Sequence, residues 1–159
     1  MNVSIDRSLI IHDKLVLVDN KLYAIGFAKS IASYTLHFTI LNSFTGEVLR
    51  SSNVPANILN PWTESAVITH PSFTHPMAVW VDKGMLRYIG LALNLDHKPK
   101  SAGGSGYVQI KDVGVNGQFV VTRQNGLGIV MRFEDGQIIT RALWEFKDVV
   151  RVICTFPTG

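Results

Sequence analysis

Five histidines are the residues best suited to proton transfer or metal ligation: His12, His37, His70, His75 and His97. His70 and His75 each precede a proline, in His-Pro-Ser-Phe-Thr-His-Pro. A residue before proline is extended. A spacing of five therefore places these two on opposite faces of a regular strand. It is not a zinc spacing, and no third ligand stands near it, so both read as loop residues. Gly103-Gly104-Ser105-Gly106 lacks the following Lys and Ser/Thr of a phosphate cradle and precedes no helix. Asn125-Gly126-Leu127-Gly128 reads as a turn. Carboxylates are sparse: Glu134-Asp135 sits at a hairpin tip, and Asp82, Asp96 and Asp112 flank turns. No pair is spaced for glycoside chemistry. Cys154 is the single cysteine, set in an apolar run, and reads as an inert thiol. The sequence thus nominates no catalytic, cofactor or metal residues. Asn2-Val3-Ser4 is a candidate glycosylation triplet, usable only in a lumenal or extracellular setting.

The elements that would hold these residues are strands. Short runs of Val, Ile, Tyr, Phe and Thr alternate with Gly, Asn and Asp. Lys14 to Val18 and Lys21 to Phe27 flank Asp19-Asn20, a two-residue hairpin turn whose short polar side chains tolerate positive φ. Tyr34 to Leu41 alternates, and Ser43 to Gly46 turns the chain into Glu47 to Arg50. Met77 to Val81 and Met85 to Leu93 flank Asp82-Lys83-Gly84. Gln118 to Arg123 and Gly128 to Phe133 flank Gln124-Asn125-Gly126. Glu134-Asp135-Gly136 leads into Gln137 to Phe146, and Val149 to Phe156 reads as one more strand.

No stretch shows helical periodicity with caps; the nearest, Trp62 to Ile68, is short and stopped by Pro71. Antiparallel meanders are therefore expected. Two segments interrupt them. Ser51 to Glu64 carries Pro55 and Pro61, which forbid a central strand. Asn94 to Gly106 has the composition of a flexible loop. Trp62, Trp80 and Trp144 read as packing residues.

The hairpins recur. Tyr23-Ala24-Ile25-Gly26, Ala78-Val79-Trp80-Val81 and Phe119-Val120-Val121-Thr122 occupy matching places, 55 and 41 residues apart. Propeller blades run to about 40–50 residues and four strands. One blade cannot bury both faces of its sheet alone. The expectation is an all-β antiparallel meander, a partial β-propeller of about three blades over residues 1–159, forming part of a larger propeller. A β-sandwich shares the same turn spacing and is the alternative.

Composition narrows the function classes. The chain has 159 residues, 47% hydrophobic and 17% charged, with net charge +3. The usual charged share is about 25%, so the faces are expected to meet other protein. Lys and Arg are scattered singly, which argues against nucleic acid as a partner. Met1 to Lys14 mixes Asp6, Arg7, Asp13 and Lys14 with apolar residues and reads as no signal peptide. No window approaches the roughly 18 apolar residues of a membrane helix.

Leu41-Asn42-Ser43-Phe44-Thr45-Gly46-Glu47-Val48-Leu49 resembles the turn of quinoprotein-type (PQQ-like) propeller repeats, with Arg50 where those repeats carry Trp. Across Tyr34 to Val54, Pro76 to Ala92 and Tyr107 to Phe146 the chain resembles the lumenal propeller of the ER membrane protein complex subunit 1 family of fungi. Ala78-Val79-Trp80-Val81-Asp82-Lys83-Gly84, Lys111-Asp112-Val113-Gly114 and Ala142-Leu143-Trp144-Glu145-Phe146 carry that resemblance. It implies a non-catalytic scaffold on the lumenal side of the endoplasmic reticulum, without cofactor. The implied partners are other subunits of a membrane protein complex and the transmembrane clients whose insertion and folding it supports. A quinoprotein-type enzyme domain would need a cofactor channel and a calcium site, which scarce carboxylates disfavour. A generic peptide-binding propeller is the third reading.

Overall fold

A computed structural model describes residues 10–94, 98–112, 117–138 and 144–146. The expected strand at 149–156, Asn2, His97 and Cys154 lie outside the described residues. The chain is nearly all β.

Three antiparallel sheets follow one another along the chain. The first holds β1 (Ile10–Val18), β2 (Lys21–Lys29), β3 (Tyr34–Asn42) and β4 (Val48–Ile58), in that order. A single helical turn, α1 (Pro61–Glu64), leads into the second sheet. That sheet is built from β5 (Ser65–Ile68), β6 (Met77–Asp82), β7 (Met85–Gly90) and β8 (Lys100–Ser101). The third holds β9 (Tyr107–Asp112), β10 (Gln118–Arg123) and β11 (Gly128–Glu134). Its fourth position is shared by β12 (Gln137–Ile138) and β13 (Trp144–Phe146), both paired with β11.

Local chemistry explains the turns. Asp19 and Asn20 have φ of 51° and 61°, Lys83 and Gly84 50° and 79°, and Asp135 and Gly136 52° and 74°. Paired left-handed residues make the hairpin turn whose twist matches that of its strands.

Two segments differ from the sequence expectation. Strand β4 runs through Pro55 to Ile58. Among the described residues it pairs with β3 alone and is an edge, where a missing N–H breaks no ladder. Within 94–106, β8 pairs with β7, and Ala102 N–H donates to Leu86 O at 3.0 Å.

Packing makes the sheets blades. Strand β6 is buried on both sides: Ala78 and Trp80 join the core shared with the first sheet, while Met77, Val79 and Val81 join the core shared with the third. The first sheet contributes Tyr23, Ile25, Phe27, Leu36, Phe38 and Ile40 to its side. The third contributes Phe119, Val121, Ile129, Met131 and Phe133. Three sheets stacked in sequence order, the middle one covered on both faces, form a partial propeller; a sandwich has two. We call the face turned toward the next sheet in sequence the front and the other the back.

Strands β2, β6 and β10 are the second strands of their blades, as the repeat predicts. Tyr23 faces front whereas Ala78 and Phe119 face back. The sequence repeat is therefore one residue out of step with the facing of the strands in blade 1.

Candidate functional site

Two features of the described surface could engage a partner. The first is a cleft at the end of the stack that carries the Asp19-Asn20 turn. The β5–β6 connection, residues 69–76, forms one wall, and the β11–β12 turn forms the other. His70, His75, Arg132, Glu134 and Asp135 line it, with a volume of about 620 Å³. That is within the range of ligand pockets, about 300–1,000 Å³.

The connection is held by its own side chains. Ser72 N–H donates to His70 Nδ1 at 3.1 Å, so that nitrogen carries no proton and the ring N–H is on Nε2. Ser72 Oγ also lies 2.6 Å from Nδ1. This is a serine–histidine contact, but it spans two residues inside one turn. Among the described residues no carboxylate orients Nε2, and no group faces the serine as an oxyanion donor would. Phe73 stacks on His70 with centroids 5.5 Å apart and packs into the blade 2–blade 3 core.

His75 Nδ1 contacts Thr74 Oγ1 at 3.0 Å. Its ring lies over the Cα of Gly90, where a Cβ would strike Nε2. Burial holds the His75 imidazole below its ordinary pKa. On the far wall Arg132 NH2 is 3.5 Å from Glu134 Oε2.

His70 and His75, on opposite faces of a strand in the sequence reading, line one cleft because 69–76 is not a strand. Among the described residues no group of three His, Cys, Asp or Glu could hold a metal ion. The cleft offers the imidazoles of His70 and His75 and the carboxylate of Asp135 to a polar ligand. Arg132 was not visible as a cleft residue in the sequence, since only the stacking of blades brings β11 against 69–76.

Other singled-out residues sit elsewhere. His12 lies on β1 and His37 on β3. His37 Nδ1 is 2.8 Å from Asn53 Oδ1, and the ring is 5% exposed. Gly103 to Gly106 forms a stapled loop, with Arg123 NH2 donating to Ser105 O at 3.1 Å and its guanidinium 5.1 Å from the Tyr107 ring centroid. Trp80 is core, at 1% exposure. Trp62 is 61% exposed, edge-on to Tyr34. The side chain of Trp144 lies outside the described residues. Arg50, in the place of the repeat Trp, reaches blade 2: its NH1 donates to Ala92 O at 3.3 Å and Leu93 O at 2.5 Å.

The second feature is the back face of blade 1. Leu17, Leu22, Leu41 and Val48 are directly opposite one another across all four strands. Leu15, Ala24, Thr39 and Ser51 form the next row. Leu15 is 71% exposed, Leu17 64% and Val48 57%. A row of exposed aliphatics on a sheet face marks a surface that other protein covers.

No protein-family model matches the chain, and no curated protein matches it. The architecture alone defines its class: an all-β protein of stacked four-stranded antiparallel sheets, a partial β-propeller. Among the described residues no helix is long and apolar enough to cross a membrane.

Proposed function

We propose that this chain is a non-catalytic propeller scaffold, joined to other protein through the back face of blade 1. The observation that carries the reading is that face. Its Leu15, Leu17 and Val48 are exposed, whereas the equivalent faces of blades 2 and 3 are covered by the blade before them. The resemblance set out above gives the scaffold its particular form, a lumenal module of the ER membrane protein complex that supports insertion and folding of transmembrane proteins. The low charge content supports protein contact rather than nucleic-acid contact.

Affinity purification from solubilised ER membranes tests this form. Subunits of a membrane protein complex should co-purify with the tagged chain, and Leu15→Glu with Leu17→Glu should lower their recovery several-fold. Recovery of no membrane-complex subunit would remove the ER reading.

The cleft lined by His70, His75 and Arg132 favours a second reading, a peptide-binding propeller. Its loss on Arg132→Ala, with blade 1 unaltered, would separate it from the first.

A further inference from the structure

The end of the stack opposite the cleft carries apolar side chains on its connections. Ile31, on the β2–β3 turn, is fully exposed. Leu59 follows β4 and is 65% exposed, and Trp62, on α1, is 61% exposed. Met85 opens β7 beside the Lys83-Gly84 turn and is also exposed. Contacts hold these connections side by side. Tyr34 pairs with Ile58, and its ring centroid lies 6.2 Å from that of Trp62. Asn57 Nδ2 donates to Asp82 Oδ1 at 3.5 Å, which brings the β6–β7 turn to the same end.

These side chains stand on separate tips rather than around a groove. The cavity beside them, lined by Asn57, Leu59, Glu64, Lys83 and Tyr107 among others, holds about 230 Å³. Ligand pockets run to about 300–1,000 Å³. Separate apolar tips suit a fluid surface, which needs no matching shape. Tyr and Trp belong where such a surface meets water, because each has an apolar body and a polar tip.

Charge points to the sign of that surface. Lys29 and Lys83 are exposed at this end. Among the described side chains there, Glu64 and Asp82 are half-buried and already accept hydrogen bonds. Asn60 N–H donates to Glu64 Oε2 at 3.4 Å, and Asn57 donates to Asp82 as above. At the opposite end the exposed loop charges are Asp19, Glu47 and Asp135 against Lys98. An anionic surface therefore attracts this end more than the other. We propose that this end of the stack docks on an anionic lipid surface. Ile31, Leu59 and Trp62 enter the headgroup layer, and Lys29 and Lys83 meet lipid phosphates. The few tips and two cations make the attachment reversible, and both contributions are needed for it. The surface is distinct from the back of blade 1, and the inference does not depend on how that face is read.

Flotation of the full chain with vesicles of phosphatidylcholine and about 30% phosphatidylserine tests this. The wild-type should float with them, and raised salt should weaken the binding. Ile31→Ser with Leu59→Ser should lower the bound fraction about fivefold or more, with a thermal melt within a few degrees of wild-type. Phe44→Ser, at an exposed apolar residue of the opposite end, should bind as wild-type does. A wild-type chain that does not float overturns the proposal. So does binding that the double variant leaves intact, or that Phe44→Ser abolishes.

Tryptophan emission gives a second measure if the double variant fails to fold. Trp62 should shift to the blue on these vesicles and be quenched by lipids brominated in the acyl chain, whereas Trp80 is buried in the protein. Quenching undiminished in Trp62→Phe overturns the proposal. Leu15→Glu with Leu17→Glu should float as wild-type does while recovering fewer membrane-complex subunits. Lipid binding without those subunits would sink the scaffold reading and leave this one; subunits recovered by a chain that binds no vesicle would do the reverse.

Discussion

Tyr88 of blade 2 meets Phe133 of blade 3 edge-on, with ring centroids 5.6 Å apart and planes at 61°. Phe133 also lies 5.4 Å from Phe119, so one ring ties two strands of its own blade to the neighbouring blade. Phe133 is 3% exposed and Tyr88 7%. Phe133→Ala should cost about 3–5 kcal/mol. In a double-mutant cycle with Tyr88→Leu, the pair should couple by about 0.5–1.5 kcal/mol. Urea unfolding of the four proteins measures this. Additive losses would mean that the blades do not stack through these rings.

Much of this fold was written in local chemistry. Asp19-Asn20, Lys83-Gly84 and Asp135-Gly136 announce hairpins because their types tolerate the left-handed φ that each pair adopts. The short apolar run Met77 to Val81 marks a buried-type strand, and both of its faces are buried. What stayed hidden depends on neighbours far along the chain. Pro55 is compatible with β4 only because β4 is an edge, which its own residues do not state. Lys100-Ser101 becomes a strand through β7 rather than through any propensity of its own. The cleft was half legible. His70 and His75 stood out as histidines, but the path of 69–76 set their common side and the stacking of blade 3 supplied Arg132. The back face of blade 1 was not legible, because Leu15-Val16-Leu17-Val18 is apolar on both faces and does not mark which side stays uncovered.

Trp80 illustrates a buried side chain with one unmet need. It is 1% exposed, between blades 1 and 2, and its Nε1 has no hydrogen-bond partner among the described residues. A stranded donor costs about 1–3 kcal/mol. Trp80→Phe removes that donor while keeping most of the ring, so the two effects oppose each other and the net loss should stay below about 1.5 kcal/mol. Trp80→Ala opens a cavity and should cost about 3–5 kcal/mol. Comparable losses for both variants, read by urea titration, would show that ring shape alone governs this position.

His75 and Gly90 form a size-matched pair. A Cβ at position 90 would enter the imidazole, so Gly90→Ala must push the ring aside. The cost should be about 1–3 kcal/mol, and His75→Ala should relieve it when the two are combined. Protonation tests the same contact. Burial depresses the folded-state pKa of His75 below its ordinary value near 6.5. The unfolded chain therefore binds this proton first. The neutral ring's contribution is fully present above about pH 6.5 and is lost as pH falls through the folded pKa. Chemical denaturation from pH 7.5 to 5 should show falling stability, with a shallower slope in His75→Gln. An unchanged slope would show that the ring is as open to solvent in the fold as out of it.

The first turn offers a gain rather than a loss. Asn20 has φ of 61° beside Asp19 at 51°, and neither is a glycine. The matching turns after β6 and β11 place Gly84 and Gly136 at that second position. Glycine enters the left-handed region without the clash that a Cβ brings. Asn20 holds Ser43 through its backbone oxygen, which accepts from Ser43 N–H at 3.2 Å and Oγ at 2.7 Å. The substitution Asn20→Gly keeps that acceptor and relieves the strain, against a more flexible unfolded chain. It should stabilise by about 0.5–1 kcal/mol and raise the melting temperature by a few degrees. A lower melting temperature would mean that the Asn20 side chain contributes more to the turn than its backbone angle costs.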